Sequence, residues 1–122
     1  MTKKKILVVE DDTPILEMLN WTLTDAGYEV LLAADGETAL KFATESAPDL
    51  ILLDLMMPRM NGWEVIGRLR AIPNRQAIPV IVVSADRAVA DRAREIKAVG
   101  YIAKPFELDE LESTLVQYLG SP

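Results

Sequence analysis

The chain has no cysteine and no histidine among its 122 residues. Without cysteine it can form neither a disulfide nor a thiolate metal site, and a cysteine nucleophile is excluded. Without histidine it lacks the commonest general base and the imidazole ligand of transition metals. Both the thiolate and the imidazole chemistry of active sites and metal sites are thus excluded.

Long apolar runs and an excess of basic charge are also missing. The apolar run at residues 6–9 is far too short for the core of a signal peptide, and no run approaches transmembrane length. We therefore expect a cytoplasmic protein with no membrane partner. The formal net charge is −6, and the only basic cluster is Lys3, Lys4 and Lys5. Because affinity for DNA comes mostly from phosphate neutralisation, we expect no direct contact with nucleic acid.

Length and composition are those of one soluble globular domain. Half of the residues are hydrophobic and about a quarter are charged. A chain of this length can bury a core but is short for two ordinary domains. Since no linker, internal repeat or low-complexity segment interrupts it, we predict a single domain over residues 1–122.

Short apolar runs alternate with helical periods along the chain. The runs are continuous, as in strands of a parallel sheet that is covered on both faces; they lie at residues 6–9, 30–34, 50–53, 80–83 and 101–103. The first helix begins near Pro14, with Asp12 or Thr13 as its cap, and ends at Gly27.

Four further helical patterns follow the other runs. One opens at Asp35 and closes before Pro48, one opens at Asn61 and closes before Pro73, one covers residues 88–99, and the last starts at Leu108 and stops at Gly120. Right-handed crossovers leave few topologies for five such β-α units. We predict an α/β fold with a five-stranded parallel sheet, flavodoxin-like strand order 2-1-3-4-5 and helices on both faces.

Polar residues follow four of the five runs. They are Glu10 and Asp11 after the first, Asp54 after the third, Ser84 after the fourth and Lys104 after the fifth. Because ligands of such sheets bind outside the carboxyl ends of the strands, we expect these side chains to converge there. The alternatives are a solvated loop for the acidic triplet and a strand-end cap for Asp54.

Glu10, Asp11 and Asp54 together would form an acidic pocket. Carboxylates without imidazole or thiolate favour a hard cation, and Mg²⁺ takes one or two carboxylates plus phosphate oxygens. The ammonium of Lys104 and the hydroxyl of Ser84 are the donors that a phosphoryl group would need there. A plain salt bridge between Lys104 and Asp54 is the simpler reading of the lysine, and both can hold in turn.

Four motifs appear in order across the chain: VVEDD, DLMMPRMNG, VVSA and YIAKPF. In this combination the sequence resembles the receiver domain of two-component response regulators, the CheY-like group. The resemblance implies that Asp54 is the phosphoacceptor. It also implies that Asp11 and Asp54 bind Mg²⁺ through side chains, Met56 through its backbone carbonyl and Glu10 through water, whereas Asp12 serves as a helix cap.

The resemblance also implies roles for residues after the fourth and fifth runs. Ser84 and Lys104 would contact the phosphoryl oxygens, and the small Ala85 would leave room for the group. A cis bond would precede Pro105. On phosphorylation Ser84 would move and Tyr101 would swing inward, which remodels the face made by helix four, strand five and helix five.

The family pattern further implies that Met56 and Asp86 tune the decay of the phosphoryl group. A chain without histidine cannot supply the donor imidazole, so the expected partners are a sensor histidine kinase or histidine phosphotransfer protein and a downstream effector. Such a domain is a signalling domain and not an enzyme acting on other substrates. Trp21 lies off the apolar stripe of the helix that kinases dock against, so it is a candidate contact or packs on a neighbouring loop; Trp63 is expected to pack locally.

Rival readings of the same fold fit less well. A flavodoxin loop holds FMN phosphate, which three carboxylates would repel. A haloacid dehalogenase needs an acidic residue where Met56 stands. A phosphorylation-independent pseudo-receiver would lack a site group, and none is missing. The segment from Ser84 to Lys104 is about two residues shorter than expected of the family, so the dimer that DNA-binding members form is not assumed here. The choice between a free-standing regulator and a receiver with an effector after Pro122 also stays open.

Overall fold

The computed structural model describes residues 3–75 and 77–120. Five strands lie in this part of the chain: β1 (Lys5–Val9), β2 (Glu29–Ala33), β3 (Leu50–Asp54), β4 (Val80–Ser84) and β5 (Gly100–Ala103). The helices are α1 (Thr13–Asp25), α2 (Gly36–Ser46), α3 (Gly62–Arg70), α4 (Val89–Glu95) and α5 (Leu108–Leu119). All strands pair in parallel in the order β2-β1-β3-β4-β5, which confirms the predicted fold class. None of these helices is long and apolar enough to cross a membrane.

Both faces of the sheet are covered by helices. One core cluster joins Leu7, Leu53 and Val82 to α2, α3 and α4, and the other joins Val8 and Leu52 to α1 and α5. Successive residues of each inner strand therefore point into different cores, as the period of two requires. This explains why the strands appear in the sequence as continuous apolar runs and not as an alternation.

Side-chain caps begin the first three helices as the sequence indicates. Asp12, Asp35 and Asn61 each accept a hydrogen bond from the backbone N–H three residues later, at 3.2, 2.7 and 3.0 Å. Such a cap satisfies one of the four N–H groups that a helix leaves without an intrahelical partner. Of the two candidates for the first cap, Asp12 is the residue that serves.

Helix α4 is shorter than the prediction over residues 88–99. It ends because Lys97 adopts a left-handed conformation, with φ at 57°, and the N–H of Ala98 then bonds back to the carbonyl of Ala93 at 2.9 Å. This is a Schellman ending, in which glycine usually takes the left-handed position. Because Lys97 and not a glycine occupies this position, the sequence pattern placed the end of the helix at Gly100.

Candidate functional site

Three carboxylates meet at the carboxyl edge of the sheet, where β1 and β3 are neighbours. One carboxylate oxygen from each of Glu10, Asp11 and Asp54 lies within 4.8 Å of the others. Glu10 and Asp54 are only 2% and 5% exposed, whereas Asp11 faces solvent. A solvated loop therefore does not describe Glu10.

Backbone and side-chain contacts fix the position of Glu10. Its N–H extends the sheet by donating to the carbonyl of Ala33 at 3.1 Å, and its Oε1 accepts the N–H of Asp12 at 3.2 Å. Its second oxygen, Oε2, accepts a hydrogen bond from Lys104 at 2.6 Å. The side chain therefore extends from the end of β1 toward Lys104, the residue that follows β5.

Lys104 is the cation of this cluster. Its Nζ lies 2.6 Å from Glu10 and 3.5 Å from the Oδ2 of Asp54, and its side chain is only 16% exposed. The salt bridge considered from the sequence thus exists, but the closer partner is Glu10. The N–H of Lys104 donates to the carbonyl of Ser84 at 2.9 Å, and the Lys104–Pro105 bond is cis.

Burial and mutual charge perturb both partners of the closest pair. Burial raises the pKa of the Glu10 carboxyl, and the negative charge of Asp54 adds to this, against the lowering effect of the hydrogen bond from Lys104. For Lys104, burial opposes the charged form, but the hydrogen bond to Glu10 and the charge of Asp54 outweigh it and raise its pKa. One ammonium thus pairs with Glu10 and Asp54, and the third carboxylate, Asp11, leaves the cluster with an excess of negative charge when all are ionised.

Asp54 ends β3 with its carboxylate held between two donors. Its Oδ1 accepts the N–H of Met56 at 3.0 Å, and its Oδ2 faces Lys104. The side chain of Met56, in contrast, is 61% exposed at the rim. The local turn therefore orients the carboxylate of Asp54 while leaving the rim beside it open.

Ser84 ends β4 and is fully buried. Register aligns its neighbour Val83 with Asp54, so the two strand ends lie side by side. The Oγ of Ser84 accepts the N–H of Asp86 at 3.1 Å, and Asp86 in turn accepts the N–H of Ala88 through Oδ1 at 2.8 Å. Ser84 thus stands at the same edge as the carboxylates and connects to the start of α4.

The aromatic residues named from the sequence lie outside this cluster. Tyr101, at the start of β5, is half exposed. Trp21 on α1 is 79% exposed, so most of its side chain is uncovered. Trp63 packs against the core beneath α3, as expected.

The pocket offers a hard cation a suitable set of ligands. The side-chain ligands that meet there are carboxylate oxygens, two of the three side chains are buried, and their mutual repulsion is only partly balanced by Lys104. Carboxylates alone are the ligand class that suits Mg²⁺, Ca²⁺ or Mn²⁺ over softer metals. Glu10, Asp11 and Asp54 are therefore the residues that could hold the ion.

One contact in this region has no signal in the sequence. The Nε of Arg92, on α4, lies 3.6 Å from the Oδ2 of Asp86. The two residues are six positions apart and belong to different elements, so neither helical nor strand periodicity links them. Only the path of the loop between β4 and α4 brings them together.

Comparison with known proteins identifies the family. The model of the response regulator receiver domain matches residues 6–116, so the chain belongs to this family of signalling domains. It is 33% identical over 119 residues to sporulation initiation phosphotransferase F of Bacillus subtilis, covering 98% of this chain and 96% of that protein. Receiver domains of this type act in phosphorelays, between histidine kinases and effectors.

Solved structures agree with this assignment. The chemotaxis protein CheY4 of Vibrio cholerae superimposes with a TM-score of 0.90 at 33% identity, over 97% of this chain and all of that chain. The receiver domain of sensor histidine kinase PA1611 from Pseudomonas aeruginosa, solved with a magnesium ion in its active-site cleft, has a TM-score of 0.88 at 32% identity, over 98% of this chain and all of that one. The present fold is thus the CheY-like fold.

Other curated relatives are longer. The chain spans about half the length of the transcriptional regulators that it matches at 41–43% identity. Ser121 and Pro122, after which an effector could follow, lie outside the residues that the structure describes.

Proposed function

We propose that Asp54 accepts a phosphoryl group from a histidine of a partner protein in an Mg²⁺-dependent reaction. The observation that carries this proposal is the meeting of Glu10, Asp11 and Asp54 with Lys104 at one strand edge, in a chain that belongs to the receiver family. Glu10, Asp11, Asp54 and the backbone carbonyl of Met56 would hold the ion. When bound, it would neutralise charge on the phosphoryl oxygens.

The transfer needs one nucleophile and donors for the developing charge. A carboxylate oxygen of Asp54 attacks phosphorus, the bond from phosphorus to the histidine nitrogen breaks, and the imidazole leaves with that electron pair. Lys104 exchanges its contact with Asp54 for one with a phosphoryl oxygen, and Ser84 donates its hydroxyl to another. Such a site works by positioning and charge stabilisation more than by covalent help from further groups.

The proposed output is a change at the face formed by α4, β5 and α5. The hydroxyl of Ser84 moves from its contact with Asp86 toward the phosphoryl group, and the half-exposed Tyr101 turns into the space that is released. A downstream effector that binds only one arrangement of this face reads the signal. The phosphorylated domain acts as a monomer or forms a dimer. Met56 and Asp86 would tune the rate at which the phosphoryl group is lost from Asp54.

The histidine donor would approach across an apolar groove beside Lys104. This groove, of about 410 Å³, is bounded by α1 and the segment after β5, and its lining residues are Ile15, Met18, Ala85, Lys104, Pro105 and Phe106. An apolar groove that includes a phosphoryl-binding lysine suits a helix that carries a phosphohistidine. The exposed Trp21 lies on the same helix as Met18 and is a candidate contact.

The cytoplasmic location expected from the sequence remains a prediction.

The test is intact-mass analysis after incubation with a small-molecule phosphodonor and Mg²⁺. We expect one phosphoryl adduct on the native protein, and none on Asp54→Asn or after removal of the metal with EDTA. A native protein that forms neither this adduct nor a beryllofluoride complex would instead be a pseudo-receiver, which binds partners without phosphorylation.

A further inference from the structure

Asp86 is tied to α4 through its side chain. Its Oδ1 accepts the N–H of Ala88 at 2.8 Å, just before the helix, and its Oδ2 lies 3.6 Å from the Nε of Arg92 within the helix. Both partners lie on the α4 side of the loop. The carboxylate is not one of the three that meet around Asp54, so it is held beside the acidic pocket and not in it.

The guanidinium of Arg92 is itself fixed in place. Its Nη1 donates to the Oε1 of Glu95 at 2.7 Å, one turn further along the helix, while its Nε faces Asp86. The side chains of Arg92 and Asp86 are 36% and 31% exposed, so solvent screens their pair only in part. Arg92 therefore bridges two carboxylates and limits the positions that Asp86 can adopt.

The backbone of Asp86 reaches the proposed phosphoryl site directly. Its N–H donates to the Oγ of Ser84, the hydroxyl that would contact the phosphoryl group. Asp86 is therefore one hydrogen bond away from the reacting groups, at the rim of the same strand edge. Its carboxylate, in contrast, is turned away from this rim by its contacts with Ala88 and Arg92.

We propose that Arg92 prolongs the phosphorylated state by holding the Asp86 carboxylate toward α4, an inference that rests on the proposed phosphorylation of Asp54. In hydrolysis, a water oxygen bonds to phosphorus, the bond from phosphorus to the Asp54 oxygen breaks, and inorganic phosphate leaves. The water must also give up a proton. A carboxylate that lies over the rim can accept that proton, whereas one that Ala88 and Arg92 hold toward α4 is turned away from the phosphoryl site. Arg92 is thus a positioning residue that acts through Asp86.

The experiment measures the decay of the phosphorylated protein. Native protein and the variant Arg92→Gln are loaded with a small-molecule phosphodonor and Mg²⁺, the donor is removed, and the phosphorylated fraction is followed by intact mass. Glutamine keeps helix propensity and removes the charge. We expect the first-order decay constant to rise about threefold, the scale of a partly exposed ion pair. Arg92→Lys keeps a cation near Asp86, and we expect it to restore part of the native lifetime.

Two further variants separate positioning from a general loss of structure. In an Asp86→Asn background, the additional Arg92→Gln substitution should leave the decay constant unchanged, because the base that Arg92 restrains is already absent. Arg94→Gln is the matched control: Arg94 lies on the same helix, pairs with Asp91 three residues earlier, and does not contact Asp86 in the described contacts. We expect native decay for this variant.

The outcomes distinguish this inference from the proposed function. A native protein that takes up no phosphoryl group overturns both. A native protein that is phosphorylated but decays at the same rate as Arg92→Gln overturns the role of Arg92 alone. An acceleration that is equally large in the Asp86→Asn background, or that Arg94→Gln reproduces, also overturns it, because the effect would then not pass through Asp86.

Discussion

Replacing Lys104 with methionine removes the only described cation within ion-pair distance of the acidic pocket. At an effective dielectric constant of about 20, its attraction to Glu10 at 2.6 Å is about 6 kcal/mol and that to Asp54 at 3.5 Å about 5 kcal/mol. Most of this is offset by the desolvation of the buried groups. Removing one partner of a buried pair typically costs about 3–5 kcal/mol, because the other charge is left without compensation.

We therefore expect Lys104→Met to lower the free energy of unfolding by about 3 kcal/mol in metal-free buffer at neutral pH. Added Mg²⁺ should recover part of this loss, since an ion that binds only the folded state stabilises it. The gain from Mg²⁺ should be larger for the variant than for the native protein, because the ammonium no longer competes with the ion for the carboxylates.

Denaturant unfolding in EDTA and in Mg²⁺ measures both effects. Lys41→Met is the matched control: Lys41 is exposed on α2, away from the strand edge, and its loss should change neither value. The reasoning is refuted if Lys104→Met and the native protein unfold with equal free energies in EDTA. It is also refuted if Mg²⁺ stabilises the variant no more than the native protein.

Three structural predictions can be checked by the same unfolding measurement. Asp35→Ala removes the cap of α2 and should lower the free energy of unfolding by about 1 kcal/mol. Because a backbone hydrogen bond lowers the pKa of Asp35, this loss should be present above pH 3.8 and should vanish as the pH falls through the lowered pKa. Asp35→Asn keeps a capping oxygen and should retain most of the stability. Arg75→Met removes two hydrogen bonds to last-turn carbonyls of α2, at 2.7 and 3.0 Å, and should cost about 2 kcal/mol; no loss would show that solvent replaces them. Gly36→Ala should lower the free energy of unfolding by about 2 kcal/mol, because its Cβ would lie 2.7 Å from the sulfur of Met60. The Cβ of Gly67→Ala meets nothing within 4 Å, so this variant should raise the free energy of unfolding by about 0.7 kcal/mol. Equal effects of the two substitutions would contradict the packing argument.

Strand positions and helix starts could be predicted because they depend on local signals, and the strand order followed from the handedness of the crossovers and the common order of five-stranded sheets. Continuous apolar runs indicated strands buried on both faces, and Asp12, Asp35 and Asn61 marked the beginnings of helices. The end of α4 could not be predicted, because Lys97 occupies a left-handed position that sequence patterns assign to glycine. Tertiary pairing of the following segment with β4 overrides this local preference.

The members of the acidic pocket could be predicted from strand ends, but the pairing within it could not. The sequence indicated that Lys104 meets carboxylates, and the simplest reading paired it with Asp54. In the structure, the Nζ of Lys104 lies closer to Glu10 than to Asp54. The glutamate side chain is one methylene longer than an aspartate, and it is buried at the end of β1 with its carboxylate toward the lysine. Likewise, the contact between Asp86 and Arg92 depends on a loop path that no periodicity encodes.

The central claim, that Asp54 is the phosphoacceptor, is tested most directly by locating the modified residue. An aspartyl phosphate is an acyl phosphate, which borohydride reduces to homoserine, and peptide mass spectrometry then identifies the converted position. After loading in Mg²⁺, we expect homoserine at residue 54 and not at Asp11 or Asp12, the two aspartates that follow β1 beside the site. Conversion at either of these positions, or none in a protein that carries the phosphoryl mass, would contradict the account.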